Sequence, residues 1–228
     1  MVKRLAIIPA RAGSQRIKNK NMKKFFRKPL ISYTLSAAKK SKLFDVIHVS
    51  TNSKKISNHA KKFNLEPDFL RPKYLSGNIM GLHEVLKYVV ARFRKINQNF
   101  DEVWLLYSTN PFINENILRN CKKAFNKINY NPKNSLMTVT NYNYPLQWAQ
   151  AINRNDQLIP IFKNNFKIGS QDKKKLVCDA GMINIYSGDL FTSNLKRKYF
   201  AYKLPIYLSV DIDDLNDFKL AMRLFKKK

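Results

Sequence analysis

The sequence predicts an α/β fold in which buried strands alternate with helices. Short apolar runs at Leu5–Pro9, Asp45–Thr51 and Phe100–Tyr107 have the length and composition of buried strands. Between and beside them, apolar residues recur at helical spacing. Leu30, Tyr33, Thr34, Ala37 and Ala38 form one such face, and Val85, Leu86, Val89, Val90 and Phe93 another. The first apolar run also opens at once into a glycine-containing cationic loop, Ala10 to Asn21.

That loop is the chemical landmark of the N-terminal half. Arg11, Arg16 and Lys20 supply positive charge, and Gly13 and Ser14 allow backbone N–H groups to come close to phosphate oxygens. An anion suits it, and a nucleoside triphosphate is the natural candidate. It is neither GxxxxGK[ST] nor GxGxxG. The competing reading is a solvated surface loop, and the strand-to-glycine context favours the anion site.

The next elements follow in order. Pro29 reads as the first turn of a helix running toward Phe44. Ser53 reads as the cap of a helix through Phe63, and His48 as a structural histidine inside the second strand. A helix is expected from His83 to about Ile96. The strand ending at Tyr107 delivers Ser108–Phe112 to the place where open α/β sheets bind ligands. There Thr109 offers a hydroxyl to a carboxylate or phosphate, and the next helix starts near Asn114. From Ser135 the chain turns strand-like, with a hairpin tip at Asn155-Asp156 and an arm or flap over Phe162–Lys175. Asp179 reads as a ligand-binding acid or as an acid opening a strand, and Gly181 as a point of close backbone approach.

Leu208–Asp214, LSVDIDD, is the second chemical centre. On an extended segment Asp211 and Asp213 point the same way. Two adjacent carboxylates are costly unless a cation accompanies them, and hard oxygen ligands favour Mg²⁺. Helix capping is the competing reading, and Asp217 is expected in the first turn of the final helix.

Composition bounds the rest. The 228 residues fit one domain, and a hydrophobic fraction of 44% suffices for a core. No run reaches the roughly 18 apolar residues of a membrane span. The N-terminus reads directly into a strand without a signal-peptide pattern, so a cytoplasmic location is expected. Cys121 and Cys178 read as free thiols. The net charge of +28 is scattered, as at Lys39–Lys40, Lys61–Lys62, Lys122–Lys123 and Lys226–Lys228, rather than gathered in one stripe. AT-rich coding explains it better than nucleic-acid binding. No specific nucleic acid and no membrane is expected as a partner, and a basic RNA-binding protein would need a continuous cationic face with exposed aromatics.

IIPARAGSQRIKNKN, Ile7 to Asn21, resembles the signature IIPARGGSKRIPxKN of the sugar-acid cytidylyltransferases, which make CMP-sialic acids and their relatives. KPLISYTLSAAKKS extends the likeness, as do the Arg71-Pro72 segment, Asp179-Ala180-Gly181 (compare DAGxFYW) and LSVDIDD (compare VDIDTEED). The resemblance implies a Rossmann-like nucleotidyltransferase three-layer sandwich with a mainly parallel sheet and a β-rich dimerisation arm. The single domain would span 1–228, with about 142–178 as the dimerisation and sugar-binding insertion. It places CTP on Ala10, Arg11, Ala12, Gly13, Ser14 and Asn21, with Arg71 near the base or ribose. Arg11, Arg16 and Lys20 would act on the phosphates, and Asp211 and Asp213 would hold Mg²⁺. Tyr107, Thr109, Gln147 and Asp179 would face the sugar. Tyr107, Thr109, Pro111 and Phe112 agree with the pseudaminic branch (CIYPTAPF), as do Tyr144–Gln147 (YPIQRAL) and Ser170–Asp172 (RSQD).

The implied reaction moves CMP from CTP to the anomeric hydroxyl of a nine-carbon 2-keto sugar acid, pseudaminic acid first, releasing pyrophosphate. N-acetylneuraminic acid is the alternative acceptor, and a homodimer the implied assembly. The departures are Ala12, Gln15, Lys18, Asn52 for an acid, and Trp148 where the related pattern has Arg. With the missing acids around Gly77, they motivate the rival reading of a non-catalytic nucleotide-binding relative.

Overall fold

The computed structural model describes residues 1–77, 81–129, 131–142, 144–162, 176–191 and 196–226. In chain order its strands and α-helices begin with β1 (Arg4–Pro9), β2 (Lys24–Phe25), β3 (Lys28–Pro29), α1 (Ile31–Ser41), β4 (Val46–Ser50) and α2 (Lys54–Lys61). There follow α3 (Leu82–Arg94), β5 (Glu102–Leu106), α4 (Glu115–Asn126), β6 (Asn134–Asn141), β7 (Gln150–Ile152) and β8 (Leu158–Pro160). The chain closes with β9 (Val177–Ser187), β10 (Lys198–Lys203) and α5 (Leu215–Phe225).

Six strands form one sheet in the order β10-β6-β9-β5-β1-β4. Within it only β9 runs antiparallel, between β5 and β6. The pleat of β1 explains the layering. Alternate side chains of a strand face opposite sides, so Leu5 and Ile7 join Leu86, Val89 and Phe93 of α3. Ala6 and Ile8 instead join Leu35 of α1, Ile56 of α2, Leu118 of α4 and Phe218 of α5. A sheet buried on both faces needs continuous apolar strands, and β5 is buried along its whole length. The expected α/β three-layer sandwich with a mainly parallel sheet is what forms.

The caps are local and legible. The Ser53 hydroxyl accepts from the Ile56 N–H at 3.4 Å, and Asn114 Oδ1 accepts from the Asn116 and Ile117 N–H groups. Asp214 and Asp217 make a reciprocal capping box at α5, as expected for Asp217. His48 is 1% exposed with Nδ1 3.2 Å from Asp68, and burial lowers its pKa, which suits a structural histidine. Pro29 departs from expectation. It pairs with Lys24 in the small β2–β3 hairpin, and α1 starts two residues later. Phe25 of that hairpin meets Phe26, Tyr33, Phe218 and Phe225 edge-on, with centroids 5.2–5.4 Å apart. This aromatic knot ties the far end of the cationic loop to α1 and α5.

Among the described residues β7 and β8 pair with each other and with no other strand, with Asp156 in the left-handed region near the hairpin tip. Every residue of both strands is exposed, Ile152, Leu158 and Ile159 among them. The expected arm at 163–175, including Ser170-Gln171-Asp172, lies outside the described residues. Both cysteines are free thiols. Among the described residues no helix is long and apolar enough to cross a membrane.

Candidate active site

At the carboxyl ends of β1 and β5 a cavity of about 490 Å³ is lined by Arg11, Ser14, Gln15, Arg16, Lys20, Asn21, Arg71, Tyr107, Thr109, Asp211 and Asp213, among others. The cationic loop and the acid couple, some 190 residues apart in sequence, therefore share one hollow. A second hollow of about 590 Å³ sits at the opposite ends of the strands, lined by Glu102, Asn134 and Ser187. Open α/β sheets place their chemistry at the carboxyl ends, and the cations gather there too.

The loop is held at several points. The Ala10 N–H donates to Ser50 O, and the Ala12 N–H donates to Asn52 Oδ1 at 3.0 Å. Asn21 donates through Nδ2 to Arg11 O at 3.2 Å. The Ser108 hydroxyl lies 2.8 Å from both Pro9 O and Asn21 Oδ1, acceptors it can serve one at a time. Two expectations change as a result. The Ala10 and Ala12 N–H groups are spent on the protein, so they set the loop's path instead of facing the cavity. Asn52, which replaces an acid but keeps its capacity to hydrogen-bond, is the residue that holds Ala12. Gly13 lies outside the left-handed region, and an added Cβ would meet nothing within 4 Å. Its conformational freedom is not used by the fold.

The charges are arranged unevenly. Arg16 Nη2 lies 3.0 Å from Asp213 Oδ2, and Lys20 Nζ lies 3.0 Å from Asp213 Oδ1 while donating to Ile212 O at 2.7 Å. Thr109 donates to Asp211 Oδ1. The two acids stand close enough for Asp213 to raise the Asp211 pKa. Residues 209–213 form no strand, and the two acids take different partners, although both line the cavity. Burial raises the Asp211 pKa, with Asp213 and Asp179 adding to the rise against the Thr109 hydrogen bond. Lys20 and Arg16 outweigh burial at Asp213 and lower its pKa.

Arg71 is 6% exposed, donates to Ser50 O at 2.6 Å and to Ser50 Oγ at 3.1 Å, and has no carboxylate partner among the described residues. Burial, and then the Arg11 charge, lower its pKa to about 10, so it remains cationic at neutral pH. Arg11 donates to Gly77 O at 2.8 Å. A buried guanidinium without a counter-charge is costly, and an anion in the cavity relieves that cost.

On the acceptor side the structure brings Tyr107 and Thr109 to the cavity but not Gln147, which sits in a 3-10 turn before β7. Asp179 accepts from the Gly181 N–H at 2.9 Å, and partial burial raises its pKa. It stands close enough to Tyr107 and Asp211 to shift both electrostatically, yet does not line the hollow. Gly181 has φ +57°, and a Cβ there would lie 2.8 Å from Asp211 Cβ and Oδ2. The glycine is what lets Asp211 sit against β9. The sequence reading missed Leu82, and it named Ser108 and Asn52 without the contacts they make. The strand-end position of Ser108 carried a signal, whereas Leu82 is recognised only by what it touches.

A family model described as cytidylyltransferase matches residues 5–221. The chain belongs to the cytidylyltransferase family. It is 34% identical to the pseudaminic acid cytidylyltransferase of Campylobacter jejuni, across 99% of this chain and 97% of that protein. It is 29% identical to the N-acylneuraminate cytidylyltransferase of Escherichia coli, across 98% of this chain and 52% of that protein. The fold matches that of a CMP:2-keto-3-deoxy-manno-octonic acid synthetase solved with CTP, with TM-score 0.69, 15% identity and 99% of both chains covered. The hollow at the carboxyl ends of β1 and β5 is thus the candidate active site of a cytidylyltransferase.

Proposed function

We propose that this cytidylyltransferase transfers CMP from CTP to the anomeric hydroxyl of a nine-carbon 2-keto sugar acid, with pseudaminic acid as acceptor. The observation that carries the reading is the buried, acid-free Arg71 beside Arg11, in one cavity with Arg16 and Lys20. Four cations facing one hollow match the charge of a triphosphate. Arg11, Ser14 and Asn21 bind the nucleotide with Arg71, while Arg16 and Lys20 swing from Asp213 to the phosphates as CTP enters. The anomeric oxygen forms its bond to the α-phosphorus as the bond to the β-phosphate oxygen breaks, and the hydroxyl proton is lost. Positioning and charge neutralisation dominate such a reaction. Tyr107, Thr109, Asp179 and Gln147 serve the acceptor, Gln147 only by movement of its turn. The 34% identity to a pseudaminic acid cytidylyltransferase favours that acid over N-acetylneuraminic acid.

The residues present suit Mg²⁺. Asp211 and Asp213 offer hard oxygen donors, and the rise in Asp211's pKa from burial and nearby acids is the kind of cost a cation offsets. Bound there, the ion would neutralise phosphate charge. The exposed apolar β7–β8 hairpin supports the dimerisation arm, because an isolated two-stranded hairpin is marginal in water until something covers it. The test is pyrophosphate release from CTP and Mg²⁺ with each sugar acid in turn, and mass spectrometry of the product. Turnover fastest with pseudaminic acid supports the reading, and silence with every acid refutes it.

A further inference from the structure

The segment that carries Asp211 and Asp213 belongs to no strand or helix, so its place depends on bonds from elsewhere. Among the described residues 209–213 pair with no strand of the sheet. The turn after β5 holds them instead. The Ile212 N–H donates to Thr109 O at 3.2 Å, and Asn110 Nδ2 donates to Leu208 O at 3.2 Å. Asn110 is fully buried, and its Oδ1 accepts from the Phe112 N–H at 3.0 Å, so the amide that grips Leu208 is itself fixed. Thr109 and Asn110 thus clasp the chain at 208–212 beside the cationic loop.

One side-chain bond in this clasp reaches the chemistry. The Thr109 hydroxyl donates to Asp211 Oδ1. Asp211 Cβ and Oδ2 lie against Gly181, where an added Cβ would come within 2.8 Å of both. One carboxylate oxygen is therefore held by a hydrogen bond and the other by packing. The two acids differ in this respect. Arg16 and Lys20 cover both oxygens of Asp213, whereas among the described residues no cation makes an ion pair with Asp211. In this arrangement Asp211 is the carboxylate left for a metal ion. A threonine hydroxyl has a single proton, and here Asp211 takes it. While that bond stands, Thr109 meets the cavity with lone pairs alone. It can accept from a hydroxyl or an amide N–H of the acceptor, and it has no proton to give to a carboxylate or phosphate, as its sequence position had suggested.

We infer that Thr109 is a positioning residue for the divalent cation: its hydrogen bond to Asp211 Oδ1 holds that carboxylate as a preset ligand. The inference rests on the proposed Mg²⁺ site. It makes the turn after β5, instead of strand pairing, the element that decides where the acid stands. Partners of this kind orient a ligating carboxylate, and losing one costs roughly 10–100-fold in metal affinity or activity.

The test compares Thr109→Val and Thr109→Ala, which delete the hydroxyl and keep the backbone bond to Ile212, with Thr109→Ser, which restores it. Mn²⁺ affinity is read by paramagnetic resonance without nucleotide, beside steady-state kinetics and thermal melts. The hydroxyl-free variants should bind Mn²⁺ about tenfold more weakly, lose about tenfold in kcat and keep KM for the sugar acid within about twofold. Thr109→Ser should return Mn²⁺ affinity and kcat to within about threefold of native. In an Asp211→Asn background, Thr109→Val should cost no further Mn²⁺ affinity, because the hydroxyl acts through that carboxylate. Native Mn²⁺ affinity in Thr109→Val or Thr109→Ala, no recovery in Thr109→Ser, or a further loss on top of Asp211→Asn overturns the inference. A raised KM for the sugar acid with native Mn²⁺ affinity also overturns it, and gives the hydroxyl to the acceptor. A native protein that binds no Mn²⁺ would instead overturn the proposed metal site, an outcome read before any variant is made.

Discussion

Replacing Gly181 by Ala tests whether Asp211 is held where the chemistry needs it. A Cβ at this position would lie 2.8 Å from Asp211 Cβ and Oδ2 and 2.9 Å from Cγ. Ordinary contact begins near 3.4 Å, so Asp211 must retreat by about 0.6 Å. Rotation about χ1 brings no relief, because Asp211 Cβ is itself one of the clashing atoms. The φ of +57° costs a non-glycine residue a further ~1–2 kcal/mol. Together with the steric shift, Gly181→Ala should lower stability by about 2–3 kcal/mol. A misplacement of about 1 Å can cost on the order of a hundredfold in rate, so roughly half that displacement should cost about tenfold in kcat, or ~1.4 kcal/mol. Urea unfolding and pyrophosphate release at saturating CTP measure the two effects. Gly13→Ala is the comparison, since its Cβ would meet nothing and stability should stay within ~0.5 kcal/mol of native. A folded Gly181→Ala protein that has lost the expected stability yet keeps native kcat would show that the position of Asp211 does not govern the rate, and its place in the chemistry would fall.

Further outcomes follow from the same geometry. Burial raises the folded-state pKa of Asp211, so its charge opposes folding above that pKa. Asp211→Asn should therefore melt above the native protein near pH 7.5, lose that advantage as the pH falls toward 4, and be inactive throughout; a lower Tm at pH 7.5 would contradict the burial argument. Lys20→Met removes two bonds, to Ile212 O and Asp213, and should cost about 1–2 kcal/mol of stability and about a hundredfold in kcat; activity within threefold of native would remove Lys20 from the chemistry. Because Arg16 and Lys20 cover both oxygens of Asp213, nucleotide-free Arg16→Gln should bind Mn²⁺ about threefold more tightly than native protein in a paramagnetic resonance titration, and equal affinity would show that the ion pair does not compete. The proposed dimerisation arm predicts that Ile159→Asp on the exposed hairpin shifts light scattering from dimer toward monomer, and a native protein that is itself monomeric, or an unchanged mass in the variant, would overturn that role for the hairpin.

Much of the molecule was legible in the chain because the signals are local. A run such as Leu5–Pro9 must be buried wherever it goes, and its alternation already decides which side chains face α3 and which face α1. Ser53, Asn114 and Asp214 cap their helices through atoms two or three residues away, so their roles survive any change of tertiary setting. Clustered cations after the first strand and paired acids before the last helix were likewise visible as chemistry without an address.

The addresses came from packing. The pairing of Arg16 and Lys20 with Asp213 joins residues nearly the whole chain apart, and no spacing rule reaches that far. Insertion of antiparallel β9 between β5 and β6 puts Gly181 against Asp211 and Asn184 against Tyr107, so both contacts exist only once the sheet has its order. Arg71 is marked in sequence only by its motif, and Arg197 looks like one more charge in a very basic chain. Folding buries the first with no acid beside it among the described residues and sets the second over Tyr186, and such a charge acquires meaning only from the dielectric and the neighbours that tertiary structure builds around it.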